Sequence, residues 1–157
     1  MQDETAAYVA ITRLQAAYAD VVTRRAWPEL EPLFRPDAPI RIDTVSRPAV
    51  QLTGGTELGT FIAAAVDRFE FFEFVILNTV IDVQPGGTAS GRVYLVELRQ
   101  ERASGDWSNA FGLYDDHYAH HDGRWVFARR RYQSLARRVG AGRADVFPFP
   151  PRDEVSS

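Results

Sequence analysis

The segment from Tyr114 to Tyr132 constrains the fold more than any other part of the chain, because residues alternate in polarity on both sides of an Asp-Gly pair. Asp122-Gly123 supplies the positive φ angles that a two-residue hairpin turn needs. Alternation places Tyr114 and Asp116 on one face of the first strand. The segment therefore predicts an antiparallel hairpin that carries a phenol and a carboxyl group on the same side.

Helix patterns come first along the chain and strand patterns follow. Apolar residues at three- and four-residue steps predict a helix capped by Asp3 or Thr5, a short helix at Trp27-Pro28, and a third helix starting near Thr56. Alternating runs at 69–83, 88–102, 107–121 and 124–135 predict four long strands, and shorter ones precede the third helix. This order predicts an α+β fold in which a cone-shaped, curved antiparallel sheet wraps around about three N-terminal helices and leaves a pocket at its open end.

Size and charge favour one domain that binds a small molecule. The chain has 157 residues, 45% of them apolar, which is the size of a single domain with a real core. We expect residues 1–139 to form this domain and residues 140–157 to form an irregular tail over its edge. A formal net charge of -3 with interspersed signs predicts neither nucleic acid nor membrane as a partner.

The absence of several residue patterns narrows the chemistry. The chain has no cysteine, which excludes disulfides and thiolate catalysis. The amino terminus lacks a secretion signal and no apolar run reaches the ~18 residues of a membrane span, so we expect a soluble, cytoplasmic protein. His117, His120 and His121 alternate between strand faces, a poor metal geometry, and no nucleotide or phosphate loop occurs. The sequence predicts neither metal nor cofactor.

Several ordered segments resemble a known family. They are residues 14–43, the glycine-led helix TGGTELGTFI, VILNTVIDV with the following TASGR, and then YDDHY and DGRWVF. Together they resemble the nuclear transport factor 2-like superfamily, and within it the group of SnoaL-like polyketide cyclases, ketosteroid isomerases and scytalone dehydratase-like proteins. The resemblance implies a cystatin-like α+β barrel. The group holds isomerases, dehydratases, a dehydrochlorinase, cyclases, epoxide hydrolases and non-catalytic modules, so the fold does not name a reaction.

The isomerases of this group imply roles for particular residues. Tyr18 falls where they keep a tyrosine that hydrogen-bonds an enolate oxygen, and Asp116 falls where they keep a protonated aspartic acid. Their general base corresponds to Ile42, and only a one-residue bulge would turn Asp43 into the pocket. Asp20 is a further acidic residue nearby on the first helix. The resemblance therefore implies an oxyanion hole of Tyr18 and Asp116 with Asp43 or Asp20 as base.

Arg130 decides which role Asp116 can take. The family register places Val126, Ala128, Arg130 and Tyr132 inward, across from Asp116, so Arg130 is expected to pair with Asp116 or to bind a substrate anion. A tight pair keeps Asp116 ionised, and an ionised carboxylate cannot donate a hydrogen bond. That contact separates an acid-pair mechanism from a structural pair.

The resemblance also implies the walls of the pocket. The dehydratases and the dehydrochlorinase use a histidine four residues before the position of Asn78, where this chain has Phe74, so elimination of their histidine-based type is not expected. The residues expected to contact a flat hydrophobic substrate are aromatic with one amide: Phe72, Phe74, Asn78, Tyr114, Tyr132 and Trp27.

Three functions remain open at this point. The first is a cofactor-free lyase or isomerase that moves a proton next to a carbonyl in a polycyclic or aromatic compound, with Tyr18, Asp116 and Arg130 at its centre. The second is a non-catalytic hydrophobic ligand-binding or dimerisation module. The third is an epoxide hydrolase, in which Asp116 and Arg130 would join an imperfect match at Glu97 and Arg99. In each case apolar residues on both faces of the strand at 88–102 predict a homodimer through the sheet.

Overall fold

The computed structural model describes residues 3–151 of the chain. Its helices are α1 (Glu4–Arg24), a 3-10 helix (Trp27–Leu33) and α2 (Gly54–Val66). Its strands are β1 (Pro39–Asp43), β2 (Val50–Thr53), β3 (Phe69–Gln84), β4 (Thr88–Glu101), β5 (Trp107–His121), β6 (Arg124–Val139) and β7 (Asp145–Val146). None of the helices in this range is long and apolar enough to cross a membrane.

The strands form one curved, unclosed sheet in the order β2-β1-β6-β5-β4-β3, with β7 added to β6. The predicted α+β fold with a curved sheet around the helices is confirmed. The sheet is mixed, however, because β1 and β6 run parallel while the other pairs are antiparallel. β1 and β6 are joined through the whole of the intervening domain and not by a hairpin, so nothing in their connection requires an antiparallel pair.

Helix α1 packs one apolar stripe into the curve of the sheet. Its first turn is capped by Asp3, whose Oδ1 accepts a hydrogen bond of 2.9 Å from the Thr5 amide. Ile11, Leu14 and Tyr18 recur at three- and four-residue steps and are all buried. The predicted helix and one of its two predicted caps are confirmed, and the stripe brings the Tyr18 ring to the centre of the core.

Helix α2 begins two residues before the predicted start. Its N-cap is Thr53 and not Thr56, and the Thr53 amide donates to Oε2 of Glu57 in the first turn at 2.7 Å. Gly54 has a φ of +76°, and a Cβ there would meet the Pro36 carbonyl oxygen at 2.9 Å. The Gly54-Gly55 pair therefore starts the helix and does not close the preceding strand.

The predicted hairpin is present. Asp122 and Gly123 have φ angles of 49° and 79°, the two positive values of a type I′ turn. Asp116 faces Arg130 across the strand pair, as the resemblance implied. Closer to the turn, between His117 and Tyr118, a β-bulge interrupts the pairing of the two strands.

The bulge changes which side chains of β6 face the core. His117 pairs with Arg129 and the next residue, Tyr118, pairs with Phe127, so Ala128 is the additional residue. The predicted inward position of Ala128 is wrong for this reason, because one extra residue reverses the faces of a strand. Val126 is buried, at 1% exposure, but it is not part of the core cluster around Phe127. Phe127 is inward instead and has no exposed surface.

The chain after β6 returns along the same strand. β7 pairs with β6, and the Phe147 amide donates to the Leu135 carbonyl at 2.9 Å. Phe149 stacks on the Tyr94 ring, with 6.5 Å between ring centroids. These contacts lay the segment over the outer face of the sheet, and residues 152–157 of the expected tail lie outside the described residues.

The contact between α2 and the 3-10 helix predicts a difference between two glycines of the same helix. A Cβ at Gly55 would lie 2.4 Å from the Leu30 carbonyl oxygen, and a backbone atom cannot rotate away. Gly55→Ala should therefore lower the free energy of unfolding by about 1–3 kcal/mol in urea denaturation. Gly59→Ala is the matched control, since its Cβ would meet Trp27 at 3.4 Å and alanine favours a helix by up to about 1 kcal/mol. Equal stability of the two variants would contradict this packing.

Candidate functional site

The concave face of the sheet encloses a cavity of about 730 Å³. Helix α1, helix α2 and the loop between β1 and β2 complete its walls. Its apolar lining consists of Val22, Ile42, Val50, Phe61, Ile62, Phe69, Phe72 and Phe74 with several alanines. Polar side chains gather along β4, β5 and β6: Glu97, Arg99, Tyr114, Tyr132, Ser134 and Arg137. This is the size and character of a site for a small hydrophobic ligand.

Two phenols form the deep end of the cavity. The hydroxyl oxygens of Tyr18 and Tyr114 lie 2.9 Å apart, so one donates to the other and one hydroxyl hydrogen is left for a ligand. Burial raises the pKa of both phenols, and both are therefore neutral hydrogen-bond donors at physiological pH. Phe74 packs against both rings, with centroids 5.4 Å from Tyr18 and 6.0 Å from Tyr114.

A buried ion pair supports these phenols from behind. Arg130 Nε and Nη2 donate to the two carboxylate oxygens of Asp116 at 2.8 and 3.0 Å, and neither side chain is more than 1% exposed. The Arg130 guanidinium carbon lies 3.6 Å from the Tyr114 ring centroid and 4.2 Å from those of Tyr18 and Phe127. The cation is thus held by a forked carboxylate in its plane and by three ring faces.

The ion pair is tied to α1 through two further side chains. The Tyr118 hydroxyl donates to Asp116 Oδ2 at 2.9 Å, and Gln15 Nε2 donates to the Tyr118 oxygen at 2.8 Å. Gln15 and Tyr118 are each 1% exposed. Every carboxylate oxygen of Asp116 is therefore satisfied, which a buried charge requires.

These contacts bear on whether Asp116 is a neutral acid or an ionised partner of Arg130. Burial raises the pKa of Asp116, but the forked Arg130 acts against the rise, and Arg130 itself has a raised pKa because Asp116 stabilises its charge. Asp116 is ionised because the guanidinium keeps its proton. Neither residue lines the cavity. The expected neutral acid donor at Asp116 is wrong, and the pair is a positioning element beneath the phenols.

A second ion pair does face the cavity. Arg99 Nη1 lies 3.6 Å from Glu97 Oε2, and Arg99 Nε donates to Ser108 Oγ at 3.0 Å. Glu97 keeps 22% of its side-chain surface accessible, at the cavity wall. Burial raises its pKa, against the lowering effect of Arg99 and Arg137. Glu97 is the one carboxylate among the cavity-lining residues that the structure describes.

Glu97 received only a minor role in the sequence interpretation, as part of an epoxide hydrolase triad with Asp116 and Arg130. The structure separates these residues, because the Asp116 pair lies outside the cavity that Glu97 and Arg99 line. The signal for Glu97 was present in β4, where alternation places Val93, Leu95, Glu97 and Arg99 on one face. A glutamate among apolar inward positions marks a buried charge.

Tyr132 is a further phenol in the wall of the cavity. Ser134 Oγ donates to its hydroxyl at 3.4 Å, and burial raises the pKa of the phenol. The ring lies against Gly112, where a Cβ would meet Tyr132 Cε2 at 2.3 Å. Only glycine leaves room for the ring to lie flat on β5.

The predicted wall residues divide into two groups. Phe72, Phe74, Tyr114 and Tyr132 line the cavity. Asn78 does not: a register shift between Ile76 and Asn78 pairs it with the outward-facing Tyr94, and its side chain is exposed. Trp27 also lies outside, behind α2. Both expectations assumed regular elements, and a single bulge reversed the face at Asn78.

The two predicted bases are also outside the cavity. No bulge occurs before Asp43, so Ile42 points inward and Asp43 pairs with Arg41 at 3.3 Å while accepting the Val45 amide at 2.8 Å. Asp20 is exposed and pairs with Arg24 at 2.9 Å along α1. Neither carboxylate reaches a ligand in the cavity, which leaves Glu97 in that position.

The three histidines lie at the far end of the hairpin. His117 contacts Arg129 at 3.1 Å, His121 contacts Asp122 at 3.2 Å, and His120 packs edge-on against Trp125. Within residues 3–151 no three metal-ligating side chains come together. The imidazoles are not part of the cavity.

The curved sheet around the helices defines a protein of the α+β cone class with a cavity on the concave face of its sheet. A model of the SnoaL-like domain family matches residues 3–131. The chain belongs to this SnoaL-like family, as the sequence segments indicated. Among curated proteins, none matches this chain.

Solved structures share the fold at low sequence identity. A hexachlorocyclohexane dehydrochlorinase, LinA type 3 of Novosphingobium barchaimii, has a TM-score of 0.77 at 18% identity over 92% of this chain and 97% of that one. A candidate scytalone dehydratase from Novosphingobium aromaticivorans has a TM-score of 0.73 at 21% identity over 88% and 91%. A cystatin-like protein from Caulobacter vibrioides has a TM-score of 0.67 at 15% identity over 82% and 89%. These identities establish the fold alone.

The buried pair predicts unequal effects of two neighbouring substitutions. Asp116→Asn should lower the free energy of unfolding by about 3–5 kcal/mol in urea denaturation, because it leaves the Arg130 charge buried without its partner. Asp115→Asn is the control, since Asp115 is 39% exposed and its nearest Arg129 nitrogen is 3.7 Å away. Its effect should stay below about 0.5 kcal/mol. Similar losses of unfolding free energy in both variants would contradict a stabilising role of the buried pair.

Proposed function

We propose that the protein is a cofactor-free lyase or isomerase that moves a proton next to a carbonyl group in a small aromatic or polycyclic compound. Glu97 is the base. The observation that carries this proposal is one carboxylate on the wall of an apolar cavity whose deep end presents a hydroxyl hydrogen from Tyr18 and Tyr114. A base and an oxygen donor in one water-poor pocket are the two groups that enolate formation needs.

The proton transfer follows from these two groups. Glu97 takes the proton from the carbon beside the carbonyl, and the C–H electrons become the enolate. The enolate oxygen accepts a hydrogen bond from the Tyr18 and Tyr114 pair, which stays protonated. In an isomerase Glu97 returns the proton to another carbon of the conjugated system, whereas in a lyase the adjacent bond to the leaving group breaks and the leaving group departs with its electrons.

The environment of Glu97 suits a base. Burial raises its pKa above the ordinary glutamate value of 4.5, and Arg99 and Arg137 keep it from rising further. A carboxylate with a raised pKa accepts a proton more readily than a solvated one. The dehydrochlorinase and the candidate dehydratase of this fold are elimination enzymes by name, which favours the same class of reaction here.

Deuterium exchange tests the proposal without knowledge of the natural substrate. A panel of bicyclic ketones such as 2-tetralone is incubated with the protein in D2O, and loss of the signals of the protons beside the carbonyl is followed by NMR. We expect exchange above the buffer rate, and Glu97→Gln should lower it by about 10²-fold or more. Because the base must be ionised, the rate should rise with pH through a pKa above 4.5.

The control for this experiment is Glu73→Gln. Glu73 lies on β3 and is exposed on the outer face, so its removal changes the net charge equally without touching the cavity. Exchange that is unaffected by Glu97→Gln, or is lowered equally by Glu73→Gln, would contradict a base at Glu97.

A non-catalytic binding module is the second candidate, and one observation favours it. Asp116 and Arg130 bind each other outside the cavity through two hydrogen bonds, so Asp116 does not face a ligand as the isomerase resemblance implied. The cavity is nevertheless open and is not filled by Phe72, Phe74 and Tyr132, which line it. Ligand binding with no exchange in any ketone of the panel would favour the binding module.

We also propose that two copies associate through the outer face of the sheet. This face carries exposed large apolar side chains on β3 and β5, among them Phe71 at 41%, Trp107 at 44% and Phe111 at 38%. Phe71 and Trp107 stack on each other with centroids 5.7 Å apart. Such a contiguous apolar patch supports a contact between identical surfaces.

A charge in this patch should break the association. Phe111→Glu should convert a dimer into a monomer of 17.7 kDa in light scattering at micromolar concentration, because two carboxylates would face each other across the symmetric contact. Val139→Glu, at an exposed residue near the end of β6, provides a control for a charge at an apolar surface position. A wild-type protein that is monomeric at this concentration would contradict the proposal.

A further inference from the structure

The charges around the cavity are strongly unequal. Arg47, Arg68, Arg99 and Arg137 line it, and Glu97 is the single carboxylate among the lining residues within 3–151. The whole chain has a formal net charge of -3, so this positive excess is local and does not reflect a basic protein. A ligand with a negative charge would balance it.

Two of these cations flank one aromatic ring of the wall. The guanidinium carbons of Arg68 and Arg99 lie 4.7 and 4.9 Å from the centroid of Phe69. Phe69 is 3% exposed and lines the cavity. The two cations therefore share a ring and lie in one region of the wall, near the end of α2 and on β4.

Arg137 adds a third cation from β6. Its Nη1 donates to Ser46 Oγ at 3.2 Å and its Nη2 to the Thr44 carbonyl at 3.5 Å, which ties β6 to the loop between β1 and β2. Arg68 and Arg137 both lower the pKa of Arg99, as close positive charges do. The cations repel each other, and Glu97 alone offsets them.

Among the described residues, Glu97 is the one carboxylate that pairs with an arginine of the cavity wall. Arg99 reaches Glu97 and Ser108, and Arg137 reaches only uncharged oxygens. Arg47 and Arg68 have no carboxylate partner in the described part of the chain. Arg47 and Arg68 are exposed at the cavity wall, where water stabilises their charge in the free protein. An anion on a flat apolar body can contact these cations and the apolar wall at the same time.

We propose that the cavity selects aromatic or polycyclic anions, carboxylates or phenolates, with Arg68, Arg99 and Arg137 as the cations that bind the negative group. The inference rests on the proposed function for its reaction, but the charge selectivity is a property of binding. The phenyl rings of Phe61, Phe72 and Phe74 contact the flat body, and the volume of about 730 Å³ accommodates two or three fused rings. Arginine forks match a carboxylate in shape as well as charge.

A pair of probes that differ in charge alone tests the selectivity. 2-Naphthoate and its methyl ester are titrated into the protein by isothermal calorimetry at about 50 mM salt. We expect the acid to bind about tenfold more tightly, and the difference to shrink at about 0.5 M salt because ions screen the arginines. Equal affinities, tighter binding of the ester, or no binding of either probe would overturn the proposal.

Arginine variants locate the effect. Arg68→Gln and Arg137→Gln should each weaken naphthoate binding about three- to tenfold and leave the ester unchanged. Arg137→Lys keeps the charge but changes the contacts with the loop, so it should retain most of the affinity. Arg13→Gln is the matched control, because Arg13 is an exposed arginine of α1 outside this cavity. An equal loss in Arg13→Gln would show a general charge effect and overturn the assignment.

Glu97→Gln separates this inference from the proposed reaction. Removing the single opposing carboxylate should strengthen naphthoate binding about threefold while it abolishes deuterium exchange. Exchange that persists in this variant contradicts the base and leaves the selectivity intact. Loss of the preference for naphthoate over its ester in the wild-type protein contradicts the selectivity and leaves the base intact.

Discussion

The ion pair of Asp116 and Arg130 is the interaction on which the rest of the interior depends. Two charges without exposed surface are costly to remove from water, and the core stabilises them with a forked contact, the Tyr118 hydroxyl and three aromatic faces. The same contacts set the positions of the Tyr18 and Tyr114 rings, since both lie against the guanidinium. Asp116, which the resemblance placed as an isomerase-type acid, therefore supports the two phenols through its pair with Arg130.

Because the Asp116 pair lies outside the cavity, the polar groups of the cavity form two separate regions. One region is the pair of phenols at the deep end, with a neutral hydroxyl donor, and the other is Glu97, the proposed base, beside Arg99. The dielectric inside an apolar cavity is low, so each of these groups acts more strongly than it would in water. A ligand with one carbonyl and one negative group would meet both regions at once, which joins the proposed reaction to the proposed selectivity.

The hairpin of β5 and β6 shows which features can be predicted from turn residues and alternation alone. Asp122-Gly123 predicts its turn because few residue pairs accept two positive φ angles, and the alternation of β5 then places Tyr114 and Asp116 inward. The same alternation fails beyond a bulge. The resemblance placed Asn78 and Ala128 inward, and one additional residue in each of two ladders turned Asn78 outward and put Phe127 in the core.

The amino-acid sequence by itself determined the α+β class, the capped first helix and the four long strands, because periodicity and turn residues act over short distances. The facing of Asp116 and Arg130 was implied by the resemblance; the turn alone would pair Asp116 with Arg129, and the bulge after His117 brings Arg130 opposite it. Only the tertiary structure decided that these two residues form a buried pair outside the cavity, that Asp43 pairs with Arg41, and that Glu97 lies beside Arg99 at the cavity wall. Those outcomes depend on which distant elements pack together and on where a strand bulges, and both are set by the whole core at once.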